Sequence, residues 1–238
     1  MSGGARTVHL EVDEGEVELA SDALWAAGAS AIQEVDLGGG RVRLEADPRD
    51  LSGLAGWAFD VVVLDGDGYL DAWQRFARPV RVGRVVLQPD WVAPVATSAD
   101  DVVVELAPVR AFGTGSHPST RTALEALVAR VGPATTVLDV GSGTGVLAVA
   151  AVLAGAARAV AVDVDPVAVR ATAALARRHG VADRLVASGT PVAEVEGTFD
   201  LVVANIGAGV LRAMAGVLRA RLAPGGHLVL AGVLAGQA

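Results

Sequence analysis

The chain has 238 residues, 52% of them hydrophobic, and a formal net charge of −8, which suits a soluble globular protein of one large domain or a medium domain with a small companion. The lack of cysteine excludes disulfides, thiolate metal sites and a cysteine nucleophile. The most apolar stretch, Val146 to Ala157, is too short to cross a bilayer, and the first twenty residues show no secretion signal, so the expected compartment is the cytoplasm.

The charge is uneven along the chain. Residues 1–71 hold fifteen Asp or Glu against four Arg, whereas residues 72–238 hold twelve against fifteen. An acidic surface repels phosphate backbones and attracts cations, so the first module is expected to meet a basic protein and not nucleic acid; plain solubility charge explains the same excess. All nineteen basic residues are Arg, which reads as a compositional bias.

In chain order, the period of the apolar residues switches between about 2 and about 3.6. It predicts a strand near Thr7 to Val12, a helix near Val17 to Ala27, strands near Ala31 to Val35 and Arg41 to Glu45, a short helix near Arg49 to Gly56 and a strand near Phe59 to Leu64. Glycines 38 to 40 supply the central hairpin turn. This βαββαβ order is that of a small ferredoxin-like α+β domain, expected over 1–65. Asp65 to Gly68 (DGDG) breaks the pattern, and Tyr69 to Ala77 resumes as a short amphipathic segment carrying Trp73 and Phe76. Residues 66–90 are therefore read as a linker helix and hinge. Two short strands with a turn at Gly83 occupy Val80 to Trp91, and Pro89, Pro94 and Pro108 punctuate the stretch from there to Arg110.

From Pro118 strands and helices alternate: a helix to about Arg130, a strand at Thr136 to Val140, a helix at Gly145 to Ala154, a strand at Ala159 to Asp163 and a helix at Pro166 to His179. Strands at Arg184 to Ala187 and Phe199 to Ala204, a helix at Gly209 to Leu222 and a strand at His227 to Ala231 complete the series. Such alternation implies a parallel sheet covered on both faces, a Rossmann-like domain expected over 91–238. Rossmann-like sheets often carry two more strands after the fifth, but the sequence runs only seven residues past Ala231. The C-terminal strands are therefore expected to be missing, leaving either a fragment or a fifth strand exposed as an edge.

Residues Val137 to Gly145 read VLDVGSGTG. Glycines 141, 143 and 145 lie between a β-branched strand and a helix, where the backbone must turn tightly and approach a ligand closely. A dinucleotide dehydrogenase would carry its third glycine at position 146, which is Val146. The spacing matches instead the G-x-G-x-G loop of class I methyltransferases, with Asp139 near the methionine portion of S-adenosyl-L-methionine. Asp163 lies twenty-two residues past Gly141, where an acid can accept hydrogen bonds from both ribose hydroxyls. Asp165 is a rival, but it precedes Pro166 and reads as the cap of the next helix.

Three further segments, AFGTGSHPST (Ala111 to Thr120), DLVVANI (Asp200 to Ile206) and LAPGGHLVLAG (Leu222 to Gly232), together with AWQRFARP and QPDW, resemble the bacterial ribosomal-protein methyltransferase family PrmA. The likeness covers roughly positions 70 to 238, and the first module by architecture only. It implies S-adenosylmethionine-dependent methylation, in the cytoplasm, of lysine side chains or the N-terminal α-amine of protein eleven of the large ribosomal subunit. Thr120, Gly141, Asp163 and Asn205 would contact the cofactor, Asn205 would also orient the acceptor, and no metal is expected. His117 is the one histidine in a candidate site and is the candidate base; Phe112 would line the substrate pocket. Two departures stand out: Pro108 is followed by Val109 and Arg110 where the family usually has glycine after the proline, and the sequence stops soon after the fifth strand. Ile206-Gly207, in place of the two prolines of the related Asn-Pro-Pro motif, is what is expected of a protein-amine enzyme as opposed to a nucleobase one. The alternatives are a methyltransferase for another protein or a small-molecule amine, and a truncated cofactor-binding module without turnover.

Overall fold

A computed structural model describes residues 5–29, 32–46, 48, 50–64, 78–107 and 118–233. The chain divides into two compact units, 1–75 and 76–238.

In the N-terminal unit, β1 (Ala5–Asp13) leads through a single 3-10 turn into α1 (Val17–Ala26), and β2 (Ile32–Gly38) and β3 (Arg41–Ala46) form a hairpin before β4 (Phe59–Leu64). The strands make one antiparallel sheet in the order β2-β3-β1-β4, the ferredoxin-like arrangement. Its logic is period-2 patterning: Val8, Leu10 and Val12 of β1 are buried and face Leu44 and Ala46 of β3, with Ala20, Leu24 and Ala27 closing the core. The helix expected near Arg49 to Gly56 is only a 3-10 turn, Leu51–Leu54, capped by Asp50, whose carboxylate accepts from Ser52 N at 2.9 Å. Gly53 and Gly56 explain the truncation, because each glycine raises the entropy cost of extending so short a helix.

In the C-terminal unit, β5 (Val80–Val82), β6 (Val85–Pro89) and β7 (Val102–Leu106) form a small sheet, β5-β6 antiparallel about Gly83 and β6-β7 parallel. Residues 80–89, read from sequence as part of the linker segment, thus lie in a sheet of this unit. β7 is an addition to the expected elements, since the prolines on either side disguise the alternation Val102, Val104, Leu106, all buried. The buried amide of Gln88 ties down the connection between β6 and β7: its Nε2 donates to Pro89 O at 2.8 Å and Val92 O at 2.9 Å, and its Oε1 accepts from Val95 N at 3.3 Å.

The principal sheet uses β8 (Thr136–Val140), β9 (Arg158–Val162), β10 (Leu185–Ser188), β11 (Phe199–Asn205) and β12 (Leu222–Ala231), all parallel in the order β10-β9-β8-β11-β12. The helices are α2 (Pro118–Val128), α3 (Val146–Leu153), α4 (Pro166–Arg178) and α5 (Ala208–Ala220). Val146 through Val152 are all buried, as expected of a helix that is apolar on every side. The strand order reverses between β8 and β11, and in open α/β sheets ligands bind at the carboxyl ends of strands at such a point. Among the described residues no helix is long and apolar enough to cross a membrane.

Candidate functional site at the carboxyl ends of β8, β9 and β11

The glycine loop leaves β8 and enters α3 with two positions where only glycine fits. Gly141 has φ +75°, and a Cβ there would overlap Ile206 Cγ2. Gly145 caps α3 at φ +83°, and a Cβ there would lie 2.8 Å from the Cα, Cγ2 and Oγ1 of Thr172 on α4. Both conformations strain any L side chain, and both contacts leave it no volume.

The loop is fastened to β9. Gly141 N donates to Val162 O at 2.9 Å, and Gly143 N donates to Asp163 Oδ2 at 2.9 Å. Asp163 Oδ1 accepts from Asp165 N, also at 2.9 Å. An ionised carboxylate has about four acceptor sites, so Asp163 keeps capacity for two further donors. Asp165 is the cap of α4, accepting from Val167 N at 2.7 Å with Pro166 in the first turn.

Asp139, one residue before the end of β8, is wholly buried. Its Oδ2 accepts from Ala148 N, a first-turn donor of α3, at 3.2 Å, while Oδ1 has no partner among the described residues. Burial pushes its pKa up to about 7, the Ala148 N–H opposes that rise, and the nearby Asp163 charge adds to it.

Asn205 ends β11 and is 8% exposed; its Nδ2 donates to the Oγ1 of Thr120, on the first turn of α2, at 3.2 Å, and its Oδ1 is buried without a partner among the described residues. Gly232 crowds the same end: a Cβ there would lie 2.9 Å from Ile206 O and 3.3 Å from Asn205 Oδ1. Two buried, unpartnered oxygens and one carboxylate with spare capacity thus share one edge of the sheet. Buried acceptors left unsatisfied are costly, so the edge is built for a ligand that brings N–H or O–H donors and positive charge.

Thr120, Asp139, Gly141, Gly143, Gly145, Asp163 and Asn205 all belong to this edge. Phe112 and His117 lie outside the described residues, as do the Asp65 to Gly68 break, the Tyr69 to Ala77 segment and the Pro108 to Arg110 departure. Sequence reasoning missed the roles of Ser142 within the loop, of Thr172 and Ile206 against it, and of Gly232 beside Asn205. For Thr172 a signal existed: it is a polar residue in the buried stripe Ala168, Thr172, Leu175, Ala176 of α4.

The family profile described as "Ribosomal protein L11 methyltransferase (PrmA)" matches residues 44–238. A ribosomal protein L11 methyltransferase from Geobacter sp. (strain M21) is 44% identical over 182 residues, covering 73% of this chain and 59% of that protein. One from Pelotomaculum thermopropionicum is 45% identical, covering 71% and 55%. The crystal structure of a ribosomal protein L11 methylase from Lactobacillus delbrueckii subsp. bulgaricus superimposes with a TM-score of 0.59 at 29% identity, covering 65% of this chain and 79% of that one. The chain spans less than two thirds of the length of these curated relatives. With a profile match over most of its length, on a Rossmann-like sheet preceded by a ferredoxin-like unit, this chain belongs to the ribosomal protein L11 methyltransferase (PrmA) family.

Proposed function

We propose that the chain binds S-adenosyl-L-methionine at the β8–β9–β11 edge and methylates amino groups, lysine ε-amines or the N-terminal α-amine, of ribosomal protein L11. The observation that carries this reading is the acceptor set: Asp139 Oδ1 and Asn205 Oδ1 are buried and unpartnered, and Asp163 has spare capacity. These groups suit a ligand with a ribose diol, an α-ammonium and a sulfonium charge.

Asp163 would accept from the ribose hydroxyls, the glycines at 141, 143 and 145 would let the ligand approach the backbone, and Asp139, Thr120 and Asn205 would face its methionine end. The cofactor supplies an activated methyl group on a sulfonium. The protein's task is then to hold the acceptor amine in line and neutral. At pH 7 deprotonation costs about 1.4 kcal/mol for an α-amine and about 4.6 kcal/mol for a lysine, so a lysine acceptor demands a more desolvating pocket. Asn205 would orient that amine through Oδ1, Phe112 would wall the pocket, and His117 is the candidate base, although amine methylation can proceed without one. Residues 1–65, in the acidic part of the chain, would recruit the basic protein, the part of the 66–90 segment that precedes β5 would act as hinge, and residues 91–238 would bind the cofactor. A ribosomal substrate would put this activity in the cytoplasm.

The test is incubation with purified large-subunit ribosomal proteins and methyl-labelled S-adenosylmethionine. Label should appear on L11 and disappear with Asp163→Ala. Label on other proteins or small amines but not L11 would reject the substrate assignment, and cofactor binding with no transfer to any acceptor would reject turnover.

A further inference from the structure

α4 presents a fully buried threonine to the backbone of the glycine loop. Thr172 Oγ1 lies 3.3 Å from Gly143 O, to which it donates, and 3.1 Å from Ser142 Oγ. A threonine hydroxyl has one proton, so with that proton on Gly143 O the Ser142 hydroxyl is the donor of the second bond. The result is a directed chain: Ser142 O–H to Thr172 Oγ1, and Thr172 O–H to the Gly143 carbonyl. Ser142 is itself 7% exposed, so the chain is sheltered from solvent.

The two ends of residue Gly143 therefore face opposite anchors. Its carbonyl is held by Thr172, and its N–H donates to Asp163 Oδ2 at 2.9 Å. At Gly145 the Thr172 side chain and Cα occupy the space that any Cβ would need. Thr172 thus fixes both the direction in which Gly143 faces Asp163 and the approach of the loop to α4. An amide that turned away from Asp163 would free that carboxylate to swing, and its acceptor oxygens would lose their aim.

We infer that Thr172 is a positioning residue for ribose recognition: acting through Gly143, its hydroxyl sets the Asp163 carboxylate, and with it the selectivity for a ligand bearing the ribose diol. This inference rests on the proposed cofactor reading and adds a residue that never touches the ligand.

Calorimetry on the full 238-residue chain with S-adenosylhomocysteine and its 2′-deoxyribose analogue separates the two. Wild type should prefer the diol by about tenfold or more, as expected when a partly buried carboxylate loses a hydroxyl partner. Thr172→Val, which keeps the shape and removes the hydroxyl, should weaken S-adenosylhomocysteine binding by about tenfold and shrink the diol preference to about threefold or less. Thr172→Ser should restore both. Ser142→Ala cuts only the outer link of the chain and should lower the preference by a smaller factor; it serves if Thr172→Val does not fold. A threonine needed for packing alone would lower the unfolding midpoint and leave the diol preference intact, and that outcome, or failure of Thr172→Ser to rescue, overturns the inference. Equal binding of both ligands by wild type overturns the ribose role of Asp163 itself, and the inference with it.

Discussion

The two units treat polar side chains in opposite ways. On the β1–β3 surface of the N-terminal unit charges sit in the open and meet each other: Arg43 grips Glu11 through Nε at 3.0 Å and Nη2 at 2.6 Å, and Arg41 reaches Glu11 and Asp13 at 3.7 and 3.6 Å. At the carboxyl edge of the principal sheet polar groups are buried and left short of partners, as with Asp139 Oδ1 and Asn205 Oδ1. The N-terminal unit has one buried hydroxyl of this kind, Ser21 Oγ, but no carboxylate or amide oxygen among the described residues. Exposed pairs exchange water for each other with little net gain, whereas buried oxygens without donors cost stability and persist where a ligand offsets that cost. Arg221 Nε is also buried without a partner among the described residues, so what marks the candidate site is the gathering of two such acceptor oxygens at one sheet edge.

The sharpest way to break this contrast is a pair of glycine substitutions. Gly145→Ala forces a Cβ to 2.8 Å from Thr172 at a φ of +83°, whereas Gly39→Ala in the β2–β3 turn meets nothing within 4 Å at a φ of +65°. Urea unfolding should show a cost on the order of 3 kcal/mol or more for the former and about 1 kcal/mol for the latter, with S-adenosylhomocysteine binding lost only in Gly145→Ala. Equal costs would mean that the loop is not packed against α4 as described.

A smaller effect concerns pH. The folded pKa of Asp139 is raised from 3.8 to about 7, so between those values the folded state holds a proton that the unfolded chain has released. Stability contributed by this residue therefore falls as pH rises through that window. Acidifying from about pH 7.5 to about pH 5.5 should strengthen the C-terminal unit by about 2 kcal/mol, and Asp139→Asn should abolish the slope. In the N-terminal unit the sign is reversed: hydrogen bonds from Arg43 and Ser52 hold Glu11 and Asp50 below their ordinary pKa values, so their contribution is present above the carboxylate range and lost on acidification through it. Between about pH 5.5 and about pH 7.5, unfolding curves that strengthen with rising pH in the C-terminal unit would contradict the burial of an unpartnered Asp139.

The smallest effect should come from Glu11→Gln, which dissolves the exposed cluster around Arg41 and Arg43. Its thermal midpoint should match that of the parent, because exposed pairs are screened and mobile. A drop of several degrees would show that the surface of the N-terminal unit carries stability after all.

Much of this was legible in the chain itself. The alternation of periods marked the strand and helix order because burial on one or both faces imposes it, and the spacing of Gly141, Asp163 and Asn205 marked strand ends because a parallel sheet brings those ends to one edge. β7 escaped because its three inward residues are few and lie between proline-marked turns. The Thr172 contact escaped for another reason: Ser142 and Thr172 are thirty residues apart, and no local pattern records which buried hydroxyl will face which carbonyl. The missing partner of Asp139 Oδ1 is likewise a product of packing, invisible until α3 has covered β8.

The cations that tie the described elements together are guanidinium forks. Arg43 spans Glu11, Arg178 joins Asp90 and Glu105, and Arg221 donates to the carbonyls of Val195, Gly197 and Ala193. None of the nineteen basic side chains is a lysine. Under the proposed amine chemistry, the chain therefore offers no ε-amine to its own activity: none of its side chains can become a rival lysine acceptor, and its ion pairs cannot be altered by self-modification at lysine.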